Sequence, residues 1–178
     1  IETVRGDGPE EFREHCLTIA GKMVQLAGKA SSLDDATQML TESLNNGHAW
    51  DKFTEWITAQ GGDINQLKNP DTLPAAPLVQ RVDTPQSGYI AAIDAAEVGK
   101  TGVQLGGGRQ QKGDAIDYGV GIVLHVKVGA QLSVGDPLFT IHAATQAGLN
   151  AAKERLLAAV AWSNLPVDVP PHTLKIIE

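Results

Sequence analysis

The chain has 178 residues, 42% of them hydrophobic and 4% aromatic, and its formal net charge is −7 at pH 7. A chain of this length can bury an apolar core as one domain or as two small ones, without disulfides. The acidic balance and the lack of a membrane-length apolar run argue against nucleic-acid and membrane partners, and the single cysteine, Cys16, favours a reducing cytoplasm.

The sequence begins with Ile1-Glu2-Thr3, without an initiator methionine or the pattern of a signal peptide. We expect these residues to come from the middle of a longer chain. The alternative is a start that was trimmed by a few residues.

A first helix is predicted from Pro9 to about Ala27, with Gly28 as its stop. Its apolar residues recur at steps of four and three, which predicts a single stripe that we expect to be buried. This stripe consists of Phe12, Cys16, Ile19, Met23 and Leu26.

Two further helices follow. The second begins after Ser32, whose hydroxyl can cap it together with Asp35 three residues on, and it ends at Gly47. The third is shorter, surrounds Phe53 and ends at Gly61. Three consecutive helices indicate a small helical layer.

Three prolines mark residues 68–77 as a linker, because proline removes a backbone donor and cannot continue a helix. We therefore predict one domain over residues 1–67 and a second over 78–178.

The second domain is predicted to mix strands and helices, an α+β arrangement. Asp94 is expected to cap a helix that runs from Ala95 towards Leu105, and an alanine-rich helix is predicted from Thr145 to about Ala161. The three strands before Ala143 are expected to form a compact β meander. The predicted strands are 78–82, 89–93, 119–128, 131–134, 137–142 and a closing strand over 173–177.

Gly99-Lys100-Thr101 copies the end of a nucleotide-binding P-loop, but the full motif needs a glycine five residues earlier. That position is Asp94, whose carboxylate would repel a phosphate group.

The five histidines form no HxxxH or HExxH pair, so we predict no zinc site. His15 precedes Cys16, but neighbouring helix residues diverge by about 100°, so no catalytic dyad is predicted.

A glycine-rich segment after the Ala95 helix is predicted to be a loop, because three glycines in succession lose much backbone entropy when they are ordered. One interpretation is a solvated surface loop. The other is a lid that orders over a bound anion or against another domain. The loop residues of interest are Gly106, Gly107, Gly108, Arg109, Lys112 and Asp114.

Residues 88–90 and 126–138 resemble the barrel-sandwich pattern of biotinyl and lipoyl carriers. Those carriers present a lysine soon afterwards, whereas this chain has His142-Ala143-Ala144-Thr145. A swinging-arm role is therefore disfavoured, and a non-catalytic hammerhead interaction or carrier module remains the alternative.

Several segments in order resemble the thymidine and pyrimidine nucleoside phosphorylases. Glu-Thr-Val-Arg-Gly-Asp-Gly-Pro at 2–9 is similar to that family's Glu-Thr-Leu-Lys-Gly-x-Gly-Pro, and Ala-Gln-Gly-Gly-Asp at 59–63 matches it directly. The further segments are 87–90, 93–95, 105–109, 112–117, 120–122, 135–138 and 141–142. The resemblance also leaves open that the chain comes from one of the related archaeal nucleotide phosphorylases.

The resemblance implies a pentosyltransferase that converts a pyrimidine nucleoside and phosphate to a free base and a pentose 1-phosphate. It also implies that residues 1–67 are the last helices of a large α/β domain and that 78–178 form an α/β-hammerhead, barrel-sandwich-like domain. The phosphate- and pyrimidine-binding motifs, and a potassium or calcium ion, would lie in sequence before Ile1. We therefore expect no catalytic residue, cofactor or metal in this chain, and no activity from it alone.

The implied partners are the N-terminal portion of the same enzyme and, for the whole enzyme, a second copy in a cytoplasmic homodimer. In the family, the loop that matches residues 106–114 is linked to domain closure, which gives the lid interpretation equal standing with the solvated surface loop. This chain would then serve as scaffold and closure element in pyrimidine salvage.

Overall fold

The computed structural model describes residues 1–171, 173 and 175. The first part of the chain contains helices only, and the second part contains both helices and strands. The mixture confirms the α+β class. The chain divides into two compact units, one that contains Ile1–Thr72 and one over Leu73–Pro170. The helices are α1 (Glu2–Arg5), α2 (Glu10–Leu26), α3 (Leu33–Asn45), α4 (His48–Ala59), α5 (Ile64–Lys68), α6 (Ala95–Gly102) and α7 (Gln146–Ala158). The strands are β1 (Leu78–Asp83), β2 (Gly88–Ile93), β3 (Gly121–Leu124), β4 (Gln131–Leu132), β5 (Pro137–Ala143) and β6 (Val160–Ser163).

The predicted helix caps of the first unit are present. The Ser32 hydroxyl accepts a hydrogen bond from the amide of Asp35 at 3.0 Å, so that α3 begins at the expected residue. Gly28, after α2, has a φ of +66°, and Gly61, after α4, has a φ of +77°. Both values lie in the left-handed region where glycine ends helices at low cost.

The predicted buried stripe of α2 is wrong. Helix α2 packs against α3 through Gly21, where an added Cβ atom would lie 2.8 Å from Cδ1 of Leu33. Gly21 is two residues from both Ile19 and Met23, so it points about 200° away from each around the helix. The stripe residues Phe12, Ile19, Met23 and Leu26 are 55%, 53%, 65% and 89% exposed, whereas Cys16 is half-buried.

The strands of the second unit form two antiparallel three-stranded sheets over the described residues, with orders β1-β5-β3 and β4-β2-β6. The predicted meander of β3, β4 and β5 is therefore wrong, because β4 pairs with β2 in the other sheet. Neither sheet closes into a barrel within the part of the chain described.

The helix predicted to reach Ala161 ends earlier, at Ala158, and the chain then enters β6. Val160 pairs with Ile93, so the β-branched residue completes the edge of a sheet instead of extending a helix. The closing strand predicted over 173–177 includes positions 174, 176 and 177, which lie outside the described residues.

Strand β5 lies at the centre of its sheet and supplies much of the core. Phe139, Ile141 and Ala143 alternate along it and are fully buried, as expected when one face of a strand is covered. Leu149 and Leu156 of α7 belong to the same buried cluster. This packing places α7 beside β5 and α6, next to the glycine-rich loop.

Candidate closure loop

Helix α6 leads directly into the glycine-rich loop. Asp94 caps the helix as predicted, since its carboxylate accepts a hydrogen bond from the amide of Glu97 at 3.0 Å. After Gly102 the chain widens into a π-helical turn over Val103–Gly107. Gly106 in this turn has a φ of +106°, which favours glycine over any residue with a side chain.

The two ends of the loop meet at one backbone hydrogen bond. The amide of Asp117 donates to the carbonyl of Gly106 at 2.9 Å. The Asp117 carboxylate in turn accepts from the amide of Gly119 at 2.9 Å. Residues 107–116 are thereby closed into a loop whose base is held by the backbone.

The glycines of the loop pack closely against the turn before them, which the sequence analysis did not predict. A Cβ atom on Gly107 would lie 3.1 Å from the carbonyl oxygen of Gly102, and one on Gly108 would lie 2.8 Å from Cγ2 of Val103. Close approach therefore favours glycine at both positions, in addition to its conformational freedom.

Asp114 organises the tip of the loop. Its carboxylate oxygen Oδ2 accepts hydrogen bonds from the amides of Gln110 at 3.1 Å and Gln111 at 2.9 Å. Its own amide donates to the carbonyl of Gln111 at 3.2 Å. An aspartate that bonds nearby amides in this way stabilises a turn.

Arg109 directly precedes this turn and Lys112 lies within it, and both are exposed. Neither side chain makes a hydrogen bond or ion pair with the described residues. Two cations on an ordered tip create a local positive potential that can attract an anion or an acidic surface.

Three residues that the sequence analysis missed hold the start of the loop. The Arg155 guanidinium on α7 donates through Nε to the Glu97 carboxylate on α6 at 2.7 Å, and through Nη1 to the Gln104 side-chain oxygen. Arg155 lies 58 positions from Glu97 along the chain. No local sequence pattern predicts such a cluster, because it forms only when α6 and α7 pack together.

The residues that copy a P-loop lie inside α6, as predicted. The Thr101 side chain is 1% exposed, and its hydroxyl donates to the carbonyl of Glu97 at 2.8 Å. A P-loop threonine must instead face a metal ion and phosphate at the start of a helix. This geometry gives no support to nucleotide binding.

Other candidate sites are weak. Within the described residues, no three histidine, cysteine or acidic side chains converge as metal ligands. His142 and Ala143, where carriers would approach their acceptor lysine, lie in β5, and Thr145 caps α7 by accepting from the amide of Gly148 at 3.1 Å. None of the described helices has the length and apolarity needed to cross a membrane.

Comparison with known proteins gives a consistent result. Residues 89–163 match the family model described as the pyrimidine nucleoside phosphorylase C-terminal domain. The chain is 38% identical over 170 residues to a pyrimidine-nucleoside phosphorylase of Geobacillus stearothermophilus, covering 96% of this chain and 39% of that protein. The corresponding protein of Staphylococcus epidermidis is 42% identical over 146 residues, 82% of this chain and 34% of that protein.

The pyrimidine-nucleoside phosphorylase of Bacillus subtilis is 41% identical over 143 residues, which are 80% of this chain and 33% of that protein. The chain thus spans about two fifths or less of the length of these curated relatives. The matches support the phosphorylase resemblance and give none to the carrier alternative.

Proposed function

We propose that the chain is the C-terminal part of a pyrimidine nucleoside phosphorylase, and the match of residues 89–163 to the family model of that enzyme's C-terminal domain supports this proposal. The enzyme would be a pentosyltransferase in which phosphate, the co-substrate, attacks the anomeric carbon of a pyrimidine nucleoside. The free base leaves, and a pentose 1-phosphate forms. The observation that carries the proposal is 38% identity over 96% of this chain to a pyrimidine-nucleoside phosphorylase.

This chain would act as scaffold and closure element, while the preceding part of the enzyme binds phosphate and pyrimidine and holds any potassium or calcium ion. Phosphate is an anion, and the leaving pyrimidine develops negative charge as the glycosidic bond breaks. The exposed Arg109 and Lys112 could stabilise such charge when the domains close and water is excluded. The fixed base at Gly106 and Asp117 supports this role, because it presents both cations on an ordered loop.

The domain assignment is also a proposal. Residues 1–67 would be helices of a larger α/β domain, 68–77 a linker, and 78–178 an α/β-hammerhead domain. The exposed apolar face of α2 supports the first part, because a contiguous apolar surface usually marks a place where protein packs. The N-terminal portion of the enzyme would cover this face. A cytoplasmic homodimer is the assembly that the family resemblance implies.

Phosphorolysis by the longer enzyme that contains this chain tests the proposed function. The enzyme would be incubated with thymidine or uridine, with and without inorganic phosphate, and the free base would be separated chromatographically. We expect base release that requires phosphate, together with formation of pentose 1-phosphate in equal amount. Release that is independent of phosphate would indicate a hydrolase and would contradict the proposal, as would no release from either nucleoside.

A further inference from the structure

We propose that Arg155 is a positioning residue, which fixes the start of the closure loop and thereby sets where Arg109 lies. The inference rests on the closure role proposed for the loop. It adds a residue that lies outside the loop and 46 positions beyond Arg109 in the sequence. Arg155 touches neither Arg109 nor the tip in this structure. It would therefore act through the residues that lead into the loop, Gln104 to Gly106, which form the loop stem.

The guanidinium of Arg155 joins three elements. Nε and Nη2 both donate to Oε1 of Glu97, in the first turn of α6, while Nη1 donates to the side chain of Gln104 in the π-helical turn. The Arg155 and Glu97 side chains are 33% and 27% exposed, so the ion pair is partly shielded from solvent. Gln104 stands two residues before Gly106, where the loop is closed by Asp117.

An apolar contact holds the same stem from a second direction. Leu105 faces Gly148 of α7, where an added Cβ atom would lie 3.8 Å from Cδ2 of the leucine. The cavity between α6 and α7 here is only about 50 Å³, lined by Thr101, Gln104, Leu105, Gly148, Ala151 and Ala152. The stem is therefore anchored to α7 in two ways, by the packing of Leu105 against Gly148 and by the hydrogen bonds of Arg155.

Arginine suits this position because its planar fork can bond two acceptors on different elements at once. A lysine ammonium could pair with Glu97 but would not hold Gln104 in the same geometry. Loss of the fork would free Gln104 and allow the stem to shift. A displacement of about 1 Å at a catalytic position can lower a rate by up to about a hundredfold.

The test uses four variants of the longer enzyme: Arg155→Met, Arg155→Lys, Gln104→Ala and Arg109→Ala. Gln104→Ala removes only the contact to the loop stem and leaves the Glu97 pair, so it remains informative if Arg155→Met folds poorly. Arg81→Met is the matched control, because it breaks an exposed ion pair with Asp83 in the same unit, away from the loop. The readouts are kcat, KM for phosphate, and hydrogen exchange at the amides of Gln110 and Gln111.

We expect Arg155→Met, Arg155→Lys and Gln104→Ala each to lower kcat about fivefold to tenfold, because each of them loses the bond to Gln104, and we expect Arg81→Met to leave kcat unchanged. In an Arg109→Ala background, Arg155→Met should lower kcat no further, because its effect passes through Arg109. A wild-type kcat for Arg155→Met, or the same additional loss in both backgrounds, would overturn the inference.

Hydrogen exchange separates this inference from the proposed function. If Arg155 fixes the stem, Arg155→Met should speed exchange at Gln110 and Gln111, while Arg81→Met should not. Unchanged exchange overturns the positioning role even if Arg109 proves important. A wild-type kcat for Arg109→Ala overturns instead the closure function, and with it the kinetic part of the inference.

Discussion

A Cβ atom added to Gly108 would lie 2.8 Å from Cγ2 of Val103, closer than real Cβ atoms approach a neighbour. Val103 opens the π-helical turn, and Gly108 follows its end. A side chain at residue 108 would press against Val103 where the chain folds back against the end of α6, so one of the two would have to shift. Packing thus restrains a loop whose composition alone indicates flexibility.

Gly108→Ala is expected to lower the free energy of unfolding by about 1–3 kcal/mol, because the added methyl group overpacks the contact with Val103. Urea-induced unfolding followed by circular dichroism measures the change. Gly99→Ala is the matched control: it lies in α6 with no atom within 4 Å of the added Cβ, and alanine should stabilise the helix by about 0.5–1 kcal/mol. Equal midpoints of urea unfolding for Gly108→Ala and Gly99→Ala would show that the close contact between residue 108 and Val103 is absent.

Arg109→Ala is expected to lower kcat of the longer enzyme about tenfold, because one cation that stabilises transition-state charge is lost. Its midpoint of unfolding should stay unchanged, since the side chain is exposed and makes no bond within the described residues. Steady-state kinetics over a range of phosphate concentrations measures the effect. Lys100→Ala, an exposed lysine on α6, controls for net charge. A wild-type rate with unchanged saturation would reject the closure role.

The isolated chain is expected to release no base from thymidine or uridine in the presence of phosphate. The reason is that the chain covers only about two fifths of the length of its relative, and the binding of phosphate and pyrimidine is proposed to lie in the rest of the enzyme. Chromatographic detection of free base checks this, with the longer enzyme as the positive control. Base release by the chain above a buffer blank would show that a reaction centre lies within these residues.

Met23→Ser is expected to destabilise the longer enzyme by about 1–3 kcal/mol, because the proposed contact would bury this side chain. In the isolated chain, Met23 is 65% exposed, so the free energy of unfolding should change by no more than about 0.5 kcal/mol. Glu14→Ser, on the same helix, controls for the helix propensity of serine. Thermal unfolding of both proteins gives the comparison. The same small change in both proteins would indicate that the α2 face stays uncovered.

Asp35 gives a prediction about acid stability. Hydrogen bonding first from the Ser31 side chain and then from Ser32 lowers the pKa of its carboxyl below the ordinary aspartate value. A lowered folded-state pKa stabilises the fold above the unfolded pKa of about 3.9, and this stabilisation disappears as the pH falls through the folded value. Ser31→Ala should therefore raise the pKa of Asp35.

Carboxyl NMR titration of the wild type, Ser31→Ala and Ser43→Ala measures this pKa. Ser43 lies on the same helix but does not contact Asp35, so its replacement should leave the titration unchanged. An Asp35 pKa that is the same in all three proteins would refute the role of the Ser31 hydroxyl.

The helix boundaries could be predicted from the sequence because their causes are local. Ser32 bonds an amide three residues away, as does Asp94, and the glycines after α2 and α4 adopt positive φ where they stand. These interactions need no distant partner. The glycine-rich loop was predicted for the same reason, since three adjacent glycines interrupt both helix and strand.

Only the tertiary structure decided which surfaces meet. Hydrophobic periodicity placed a stripe on α2, but the close approach at Gly21 selected the opposite face for α3. The strand β4 joined β2 and not its neighbours in sequence. Arg155, Glu97 and Gln104 came together because α6 and α7 pack side by side. Hydrogen bonds between residues more than fifty positions apart depend on that packing, and no local pattern of residues encodes it.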